Sequence, residues 1–428
     1  MDKVNTKQAF EKENKSMPDR KMLAEFFKGV ALKYASRVEI DSTTSHQHEL
    51  NGVTPLRAIF GDERRYFSRA RFIAFGDDSS AVNYDGNATW YNARERHPTR
   101  TEYRLYYSDN DFISSVQAGD LLVIALLENE ELMIASARYG SEVEKELLWL
   151  FAPADQEIGE QYTVRTQENM QGITLNFVVR TILSLLGIDT FEKLEGFYLD
   201  EMSAKFGETF PGTSVFSTYA SNTLSIPEEP DAALLLLMER EEALFRLFEK
   251  AEVEQRLEKG FRSAEEFEGY AKSFMNRRYS RAGRAFENHL ARVFRRRKLR
   301  FSERPVTELR KRPDFVFPGI ETYQELAVNP DLEKYVTVLG AKTSCKDRWR
   351  QIVNEADRVR TKHLATLQPS ISGNQITEMQ AENVVLVIPE EIRQTYPAGQ
   401  RNDILNLANF IDIVKNRQNA FNEVSGTS

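Results

Sequence analysis

The chain lacks the residues for a disulfide framework or a membrane anchor. Cys345 is the only cysteine in 428 residues, so no internal disulfide can form and a cysteine-based zinc site is excluded. The five histidines are too scattered to replace such a site. No apolar run approaches the roughly 20 residues of a membrane-spanning helix, and the N-terminus has no apolar signal-peptide core. We therefore expect a cytoplasmic protein without a membrane partner.

Length and charge distribution narrow the class further. A single hydrophobic core stops growing near roughly 250–300 residues, so a chain of 428 residues predicts two or three domains. The formal net charge of −8 argues weakly against nucleic acid. However, the stretch from Asn276 to Arg312 holds fourteen Lys or Arg against three acids, whereas Glu228 to Glu258 is acid-rich. This asymmetry predicts a surface that meets phosphates, with a solvated helix face as the alternative.

The first half of the chain is predicted to be mostly β. Residues 1–20 are polar and indicate a mobile arm, and the apolar spacing from Met22 to Arg37 indicates a helix. A further helix is predicted at Leu175 to Leu186. Short strands broken by polar turns favour a barrel or sandwich in a domain spanning 21–221. The predicted strands are Arg71 to Phe75, Ala88 to Tyr91, Tyr103 to Tyr107, Leu121 to Leu127 and Leu132 to Arg138.

The second half is predicted to be α/β with a mixed central sheet. Residues 222–231 contain two prolines and no periodicity, which indicates a linker before a domain at 232–428. Helical periods and short apolar runs alternate after it. The predicted helices are 232–259, 264–274, 284–297 and one of about five turns after Lys342. The predicted strands lie near Arg300, at Asp314, at Val336 to Lys342 and at Val384 to Ile388.

Three residues at the ends of these elements suggest phosphodiester chemistry. Asp314 precedes the apolar run Phe315 to Phe317, Lys342 ends the next strand, and Glu355 follows thirteen residues later. Mg²⁺ bound by one or two carboxylates activates water and neutralises phosphoryl charge, and a neighbouring lysine can orient that water. Asp314 and Glu355 are therefore predicted metal ligands and Lys342 a catalytic lysine. Each residue alone is more often solvated or ion-paired.

Three polar residues after this strand fit base recognition. Arginine can clasp a guanine through O6 and N7, and aspartate accepts from cytosine N4, so Lys346, Asp347 and Arg348 suit adjacent G·C pairs. The alternative is a helix N-terminus with Asp347 placed favourably against the helix dipole.

Three segments resemble the catalytic domain of EcoRII-type restriction endonucleases. They are SRAGRAFE from Ser280, RPDFVFP from Arg312, and AKTSCKDRWRQIVNEADRVRTKHLATLQ, within a resemblance covering about Leu257 to Phe410. The resemblance implies a Mg²⁺-dependent PD-(D/E)XK fold that cuts both DNA strands at short palindromes with a CC/GG core. It implies four roles: Asp314, Lys342 and Glu355 as the catalytic triad, Lys346, Asp347 and Arg348 as base readers, Tyr323 as a further active-site residue, and Glu287 as an accessory acid. A strand-edge aromatic is the alternative for Tyr323.

The first half resembles the DNA-binding pseudobarrel of the same family more faintly. Arg100, Glu102 and Arg104 match its alternating Arg, Glu and Arg, and His46 fits a second contact loop. Alternation would place the first three on one strand face, as a groove-reading edge. An exposed salt-bridged strand and an ordinary loop histidine are the alternatives.

The resulting hypothesis is an EcoRII-like type II restriction endonuclease acting on double-stranded DNA. A palindromic site calls for a homodimer. The resemblance further implies a functionally paired cognate DNA methyltransferase, and allosteric control in which the N-terminal domain covers the catalytic cleft. The alternatives are a nicking repair nuclease of the same fold and a non-cleaving DNA-binding repressor.

Overall fold

The computed structural model divides into two compact units, Met1–Thr190 and Phe191–Ser428. The structure describes residues 22–37, 49–50, 53–77, 80–108, 110–153, 156–173, 175–188, 190, 196–207, 210–345 and 349–425. The predicted arm at 1–20 lies outside them. The predicted linker at 222–231 lies inside the second unit, because the division falls some thirty residues earlier.

The first unit is organised by one eight-stranded sheet in the order β2-β5-β4-β3-β7-β6-β1-β8. Only β3 and β7 pair in parallel, and the other described pairs are antiparallel. The neighbouring inner strands β6 and β7 are buried along their whole length. The strands are β1 Phe27–Tyr34, β2 Glu49–Leu50, β3 Arg65–Phe75, β4 Ala81–Asn92, β5 Tyr103–Tyr107, β6 Leu121–Leu127, β7 Leu132–Ala137 and β8 Thr163–Thr166.

Short helices accompany this sheet. They are α1 Arg57–Phe60, α2 Phe112–Ser115, α3 Glu142–Phe151 and α4 Phe177–Leu185, with 3-10 turns at Leu23–Glu25, Thr54–Leu56 and Gln167–Met170. The five predicted strands and the predicted helix at Leu175 to Leu186 are confirmed. The mostly-strand character of this half is confirmed too, while its closure into a pseudobarrel stays a prediction, since β2 and β8 are the outer strands of the described sheet.

The helix predicted from Met22 to Arg37 is wrong. A short 3-10 turn there leads into β1, which is buried on both faces apart from Lys28 and its last residue. A strand covered on both sides has no reason to alternate polar and apolar residues, so β1 carries no period of two that would distinguish it from a helix.

The second unit begins with four helices that pack against one another. They are α5 Gly196–Phe206, α6 Thr213–Asn222, α7 Pro230–Lys259 and α8 Ala264–Arg296. Aromatic residues fill the space between them, among them Tyr198, Phe216, Tyr219, Phe245 and Phe248. The predicted helix at 232–259 is confirmed by α7. The separate predicted helices at 264–274 and 284–297 are parts of the single helix α8.

A mixed five-stranded sheet follows, in the order β13-β12-β11-β10-β9. The pairs β9/β10 and β10/β11 are antiparallel, and β11/β12 and β12/β13 are parallel. The predicted mixed sheet is therefore confirmed. The strands are β9 Ser302–Glu303, β10 Phe315–Phe317, β11 Thr337–Lys342, β12 Lys362–Thr366 and β13 Val384–Val387. The helices around it are α9 Ile320–Glu325, α10 Trp349–Val353, α11 Gly373–Ala381, α12 Glu390–Arg393, α13 Ala398–Arg401 and α14 Leu407–Ser425, with 3-10 turns at Glu308–Arg310 and Pro330–Tyr335.

The predicted five-turn helix after Lys342 is wrong. Helix α10 covers only Trp349–Val353, and the chain then turns and forms β12. All five residues of β12, which lies between β11 and β13, are buried, so both faces of the strand are covered. Burial on both faces removes the alternation that would distinguish a strand from a helix. Within the part of the chain that the structure describes, no helix is both long and apolar enough to cross a membrane.

One buried carboxylate ties the helices to the end of the chain. Asp231, in the first turn of α7, is 3 % exposed and accepts hydrogen bonds from three backbone N–H groups. These belong to Glu390 (2.8 Å), Leu407 (2.9 Å) and Ala408 (2.9 Å), at the beginnings of α12 and α14. Asp231 therefore satisfies helix-end donors that would otherwise be buried without a partner.

The substitution Asp231→Ala should lower the free energy of unfolding by about 2–4 kcal/mol, since it leaves buried N–H groups without an acceptor. Urea denaturation followed by circular dichroism measures the loss. The exposed Asp412 on α14 provides the control, and Asp412→Ala should change stability by less than about 0.5 kcal/mol. Equal midpoints for the two variants would contradict this role of Asp231.

Candidate active site

The pairing of β10 with β11 brings Asp314 and Lys342 together. Phe315 pairs with Leu339 in antiparallel register, so the residue before β10 lies beside the end of β11. Asp314 Oδ2 accepts from the backbone N–H of Ala341 at 2.7 Å and from Lys342 Nζ at 3.0 Å. Asp314 is 6 % exposed, while the Lys342 side chain is 22 % exposed and reaches the surface. The acid and the lysine of the predicted set are therefore in direct contact.

Glu355 lies beside this pair, although not on a helix. It follows α10 in a turn, where its backbone N–H donates to the carbonyl of Ile352 at 3.1 Å and the next residue, Ala356, has a φ of 54°. Burial and the negative charge of Asp314 raise the pKa of Glu355 to about 7. Lys342 opposes that rise. Asp314 and Lys342 thus act on the Glu355 carboxyl group with opposite signs.

Glu287 brings a third carboxyl group to the same region. It lies near the middle of α8 and forms an ion pair of 2.8 Å with Arg284 one turn earlier. Burial and then the charge of Asp314 raise the pKa of Glu287, whereas Arg284 and Lys342 lower it. The predicted accessory acid thus shares the electrostatic environment of Asp314 and Lys342.

The donor set fits a magnesium ion better than a cation that requires an all-protein cage. Among the described residues, no group of three or more His, Cys, Asp or Glu side chains could hold a metal. Mg²⁺ needs only one or two carboxylates, because waters and substrate phosphates complete its shell. Glu355 is half-buried beside the like charge of Asp314, and a shared cation would relieve that repulsion. The chemistry of the two carboxylates is therefore compatible with the predicted ion.

Tyr323 is a buried residue whose hydroxyl connects two turns beside the site. It lies on α9 rather than at a strand edge, and it is completely buried. Its hydroxyl donates to Glu308 Oε2 at 2.5 Å and accepts from the backbone N–H of Arg358 at 3.4 Å, while Arg358 pairs with Glu308 at 2.8 Å. Burial and Glu308 raise the pKa of the Tyr323 hydroxyl well above its usual range. These contacts connect the turn before Asp314 with the turn that carries Glu355.

Two further lysines beside Glu355 were not predicted. Lys362, the first residue of β12, is buried and donates to the carbonyl of Val353 at 2.8 Å, at the end of α10. The second lysine, Lys311, forms an ion pair in which its Nζ lies 3.4 Å from Asp357 Oδ2. Both cations lower the pKa of Glu355. Lys362 lies in the part of the chain predicted as helix, so its place beside the turn could not be inferred from the period.

The structure describes only some of the residues predicted to contact DNA. His46, Lys346, Asp347 and Arg348 lie outside the described residues. Arg100 and Glu102 precede β5, and only Arg104 belongs to it, so the prediction that the three share one strand face is wrong. Residues 93–99 form a turn and a bend, and 100–102 are irregular, so the strand begins only at Tyr103. Glu102 forms two ion pairs, from Oε1 to Arg104 Nη2 at 2.7 Å and from Oε2 to Arg94 Nε at 2.5 Å. Arg104 Nη1 also pairs with Glu49 Oε2 at 2.8 Å.

The second unit has a mixed sheet with an acid before one strand, a lysine at the end of the next strand and a second acid in the following turn. This arrangement is typical of restriction-endonuclease-like nucleases. Comparison with known proteins gives the family. Residues 245–411 match the family profile described as EcoRII C terminal. The chain is 31% identical over 331 residues to the type II restriction enzyme EcoRII of Escherichia coli, covering 76% of this chain and 78% of that one. The chain belongs to the EcoRII family of type II restriction enzymes, which are site-specific DNA endonucleases.

Other similarities are more distant. The type II restriction enzyme SsoII of Shigella sonnei is 28% identical over 122 residues, which is 28% of this chain and 38% of that protein. Metal-depleted Ecl18kI in complex with uncleaved DNA covers 54% of this chain and 87% of its own, at 20% identity and a TM-score of 0.43. A PspGI–substrate DNA complex covers 49% and 94%, at 16% identity and a TM-score of 0.41. The family resemblance inferred from the motifs is confirmed by the match to EcoRII.

Gly340 controls how closely α10 approaches β11 beside the site. A Cβ at Gly340 would lie 2.6 Å from Ile352 Cδ1 and 2.8 Å from Cγ1. Gly340→Ala should therefore displace α10 and lower the free energy of unfolding by about 1–3 kcal/mol, measured by urea denaturation. Gly283 on α8 is the matched control. A Cβ there meets nothing within 4 Å, so Gly283→Ala should stabilise by about 0.5–1 kcal/mol. If both substitutions changed stability in the same direction, the close approach would not be decisive.

Proposed function

We propose that the protein is a Mg²⁺-dependent type II endonuclease that cleaves both strands of double-stranded DNA at a short palindrome with a CC/GG core. The observation that carries the proposal is the contact of 3.0 Å between Lys342 Nζ and Asp314 Oδ2, with Glu355 electrostatically coupled to both. A lysine bonded to a buried acid and open to solvent on its other side fits substrate binding rather than structural support.

Each residue has a defined chemical task in this proposal. Asp314 and Glu355 would hold the Mg²⁺ ion, which, when bound, activates water and neutralises charge on the phosphoryl oxygens. The N–H of Ala341 keeps the Asp314 carboxylate oriented. The Lys342 ammonium group would offset the charge that develops on the phosphoryl oxygens and hold the attacking water. The water oxygen would bond to phosphorus while the bond from phosphorus to the leaving sugar oxygen breaks. The proton that the water loses ends on that sugar oxygen, which leaves as a hydroxyl group.

The other roles extend from this centre. Lys346, Asp347 and Arg348 would read the G·C pairs, and a homodimer would match the two-fold symmetry of the site. Tyr323 would position the active-site turns, and Glu287 would act as an accessory acid. Arg100, Glu102, Arg104 and His46 would bind DNA in a regulatory first domain. A cognate methyltransferase would protect the same site on host DNA.

The test of catalysis is digestion of plasmid DNA with Mg²⁺. The unchanged protein should give double-strand breaks at one short sequence, located by sequencing the ends. Lys342→Ala should slow cleavage by about 10²–10⁴-fold while the variant still binds DNA. Lys334→Ala, at an exposed lysine in the turn before β11, should cleave at the normal rate.

The outcomes separate this function from its alternatives. Nicks confined to one strand would indicate a repair nuclease of the same fold. Tight, sequence-specific binding without any cleavage by the unchanged protein would indicate a repressor. Normal cleavage by Lys342→Ala would exclude the proposed catalytic lysine.

The proposed autoinhibition can be tested by removing the first unit. The cut belongs just before α5 at Gly196, because α5 and α6 pack on α7 and would leave its apolar face bare if they were removed. The fragment beginning near residue 196 should cleave a single-site substrate faster than the whole chain. Cleavage at the same rate or slower by a fragment with a normal circular dichroism spectrum would exclude inhibition by the first unit.

A further inference from the structure

The connection between β9 and β10 leads directly into the active site. We refer to residues Arg304 to Pro313 as the β9–β10 loop. The N–H of Arg304 donates to the carbonyl of Asp314 at 2.9 Å and closes the base of the loop. Because β10 runs antiparallel to β11, this loop lies at the sheet edge where β11 ends at Lys342.

The outer surface of the β9–β10 loop is cationic. Its one acid, Glu308, accepts a hydrogen bond from Tyr323 and pairs with Arg358, so its negative charge is already offset. One of its cations, Lys311, is engaged by Asp357. Three other cations are exposed, and no described carboxylate pairs with them: Arg304, Arg310 and Arg312.

The tip of the loop holds an exposed apolar residue in a conformation that glycine would adopt more easily. Leu309 is 84 % exposed with a φ of 54°, and the next residue, Arg310, has a φ of 61°. Left-handed backbone is uncommon for residues other than glycine, and the exposed leucine side chain gains no free energy from burial here. Conformations of this kind persist where the surrounding structure enforces them and often occur at functional sites.

The base of the loop enforces this conformation. The N–H of Thr307 donates to the carbonyl of Lys311 at 2.9 Å, and the N–H of Lys311 donates back to the carbonyl of Glu308 at 3.0 Å. The Glu308 carboxylate also accepts a hydrogen bond from the buried hydroxyl of Tyr323, so the base of the loop holds the tip as a fixed projection. A fixed projection with exposed cations and a bare apolar side chain is suited to a partner that is both anionic and partly apolar.

We propose that the β9–β10 loop is a DNA-contact element beside the catalytic centre. Arg310 and Arg312 bind phosphates next to the scissile one, and Leu309 packs against the deoxyribose faces between them. Duplex DNA fits because regularly spaced phosphates alternate with apolar sugar surface. The proposal rests on the endonuclease function, because it assumes that one DNA strand passes both Asp314 and the loop.

The first test measures DNA affinity against salt concentration, with Ca²⁺ in place of Mg²⁺ to prevent cleavage. The double variant Arg310→Gln with Arg312→Gln should bind more weakly and lower the slope of log K against log salt by about 2, because each phosphate that an arginine neutralises adds about 0.9 to that slope. The weakening should be equal for cognate and unrelated duplexes, because phosphates carry no sequence information.

The matched control changes two exposed lysines away from this edge. Lys334 precedes β11 at the opposite end of the strand, and Lys415 lies on α14. The double variant Lys334→Gln with Lys415→Gln removes the same charge and should keep the slope of the unchanged protein. If the arginine and lysine pairs lowered the slope equally, the effect would be one of net charge, and the proposed contact would be overturned.

The second test separates DNA contact from a structural role of the leucine. Leu309→Gly relaxes the backbone, so its melting temperature should equal or exceed that of the unchanged protein, while DNA affinity should fall several-fold. Asn383, exposed with a φ of 56° before β13 at the other sheet edge, is the matched control. Asn383→Gly should also melt at the same temperature or higher, with unchanged affinity. A Leu309→Gly variant that binds DNA normally would overturn the leucine contact.

Failure of the loop proposal can be told apart from failure of the proposed function. If the unchanged protein cleaves plasmid DNA and the loop variants bind as it does, the function stands and the loop proposal falls. If the unchanged protein binds without cleaving and the loop variants lose affinity, the loop proposal stands and catalysis falls. Absence of any DNA binding by the unchanged protein would overturn both.

Discussion

The buried carboxylate of Asp314 is the group on which the second unit depends. A carboxylate at this depth is unfavourable unless hydrogen bonds and a counter-charge compensate it. Here the backbone N–H of Ala341 and the ammonium group of Lys342 do so, and both come from β11. The antiparallel register of β10 and β11 is therefore a condition for the site as well as a feature of the fold. A slip of one residue would turn the acid away from the lysine.

The carboxyl groups of the site repel one another in spite of the cations around them. Asp314 raises the pKa of both Glu287 and Glu355, and Lys342 counters the rise at each. Lys311 and Lys362 add positive charge around Glu355 from two other segments. Carboxyl groups that repel one another in this way favour an incoming cation, which would also offset the charge of an incoming phosphate. Metal and DNA binding are for this reason expected to support each other.

The sequence suffices where residues carry a local signal, and it fails where distant packing sets the structure. Asp314 and Lys342 flank short apolar runs, and the predicted strands there match β10 and β11. Spacing singles out Glu355, yet its turn depends on contacts such as that of Lys362 with the carbonyl of Val353, which leave no periodic trace. Strands β1 and β12 resemble helices in sequence because both are covered on both faces. The equally buried strands β6 and β7 are nevertheless predicted correctly, because polar turns bound their short apolar runs.

Tyr323 shows how the buried layer serves the surface chemistry. Its ring packs with Val316, Val338 and Ala356, and its hydroxyl bonds Glu308 and the backbone of Arg358. One side chain thus fixes both the β9–β10 loop and the turn of Glu355, so neither can move without the other. A hydroxyl that is fully buried and engaged twice is poorly placed to attack a phosphate. Its value to the site lies in connecting the loop that leads into Asp314 with the turn that carries Glu355, the two carboxylates proposed to share a metal ion.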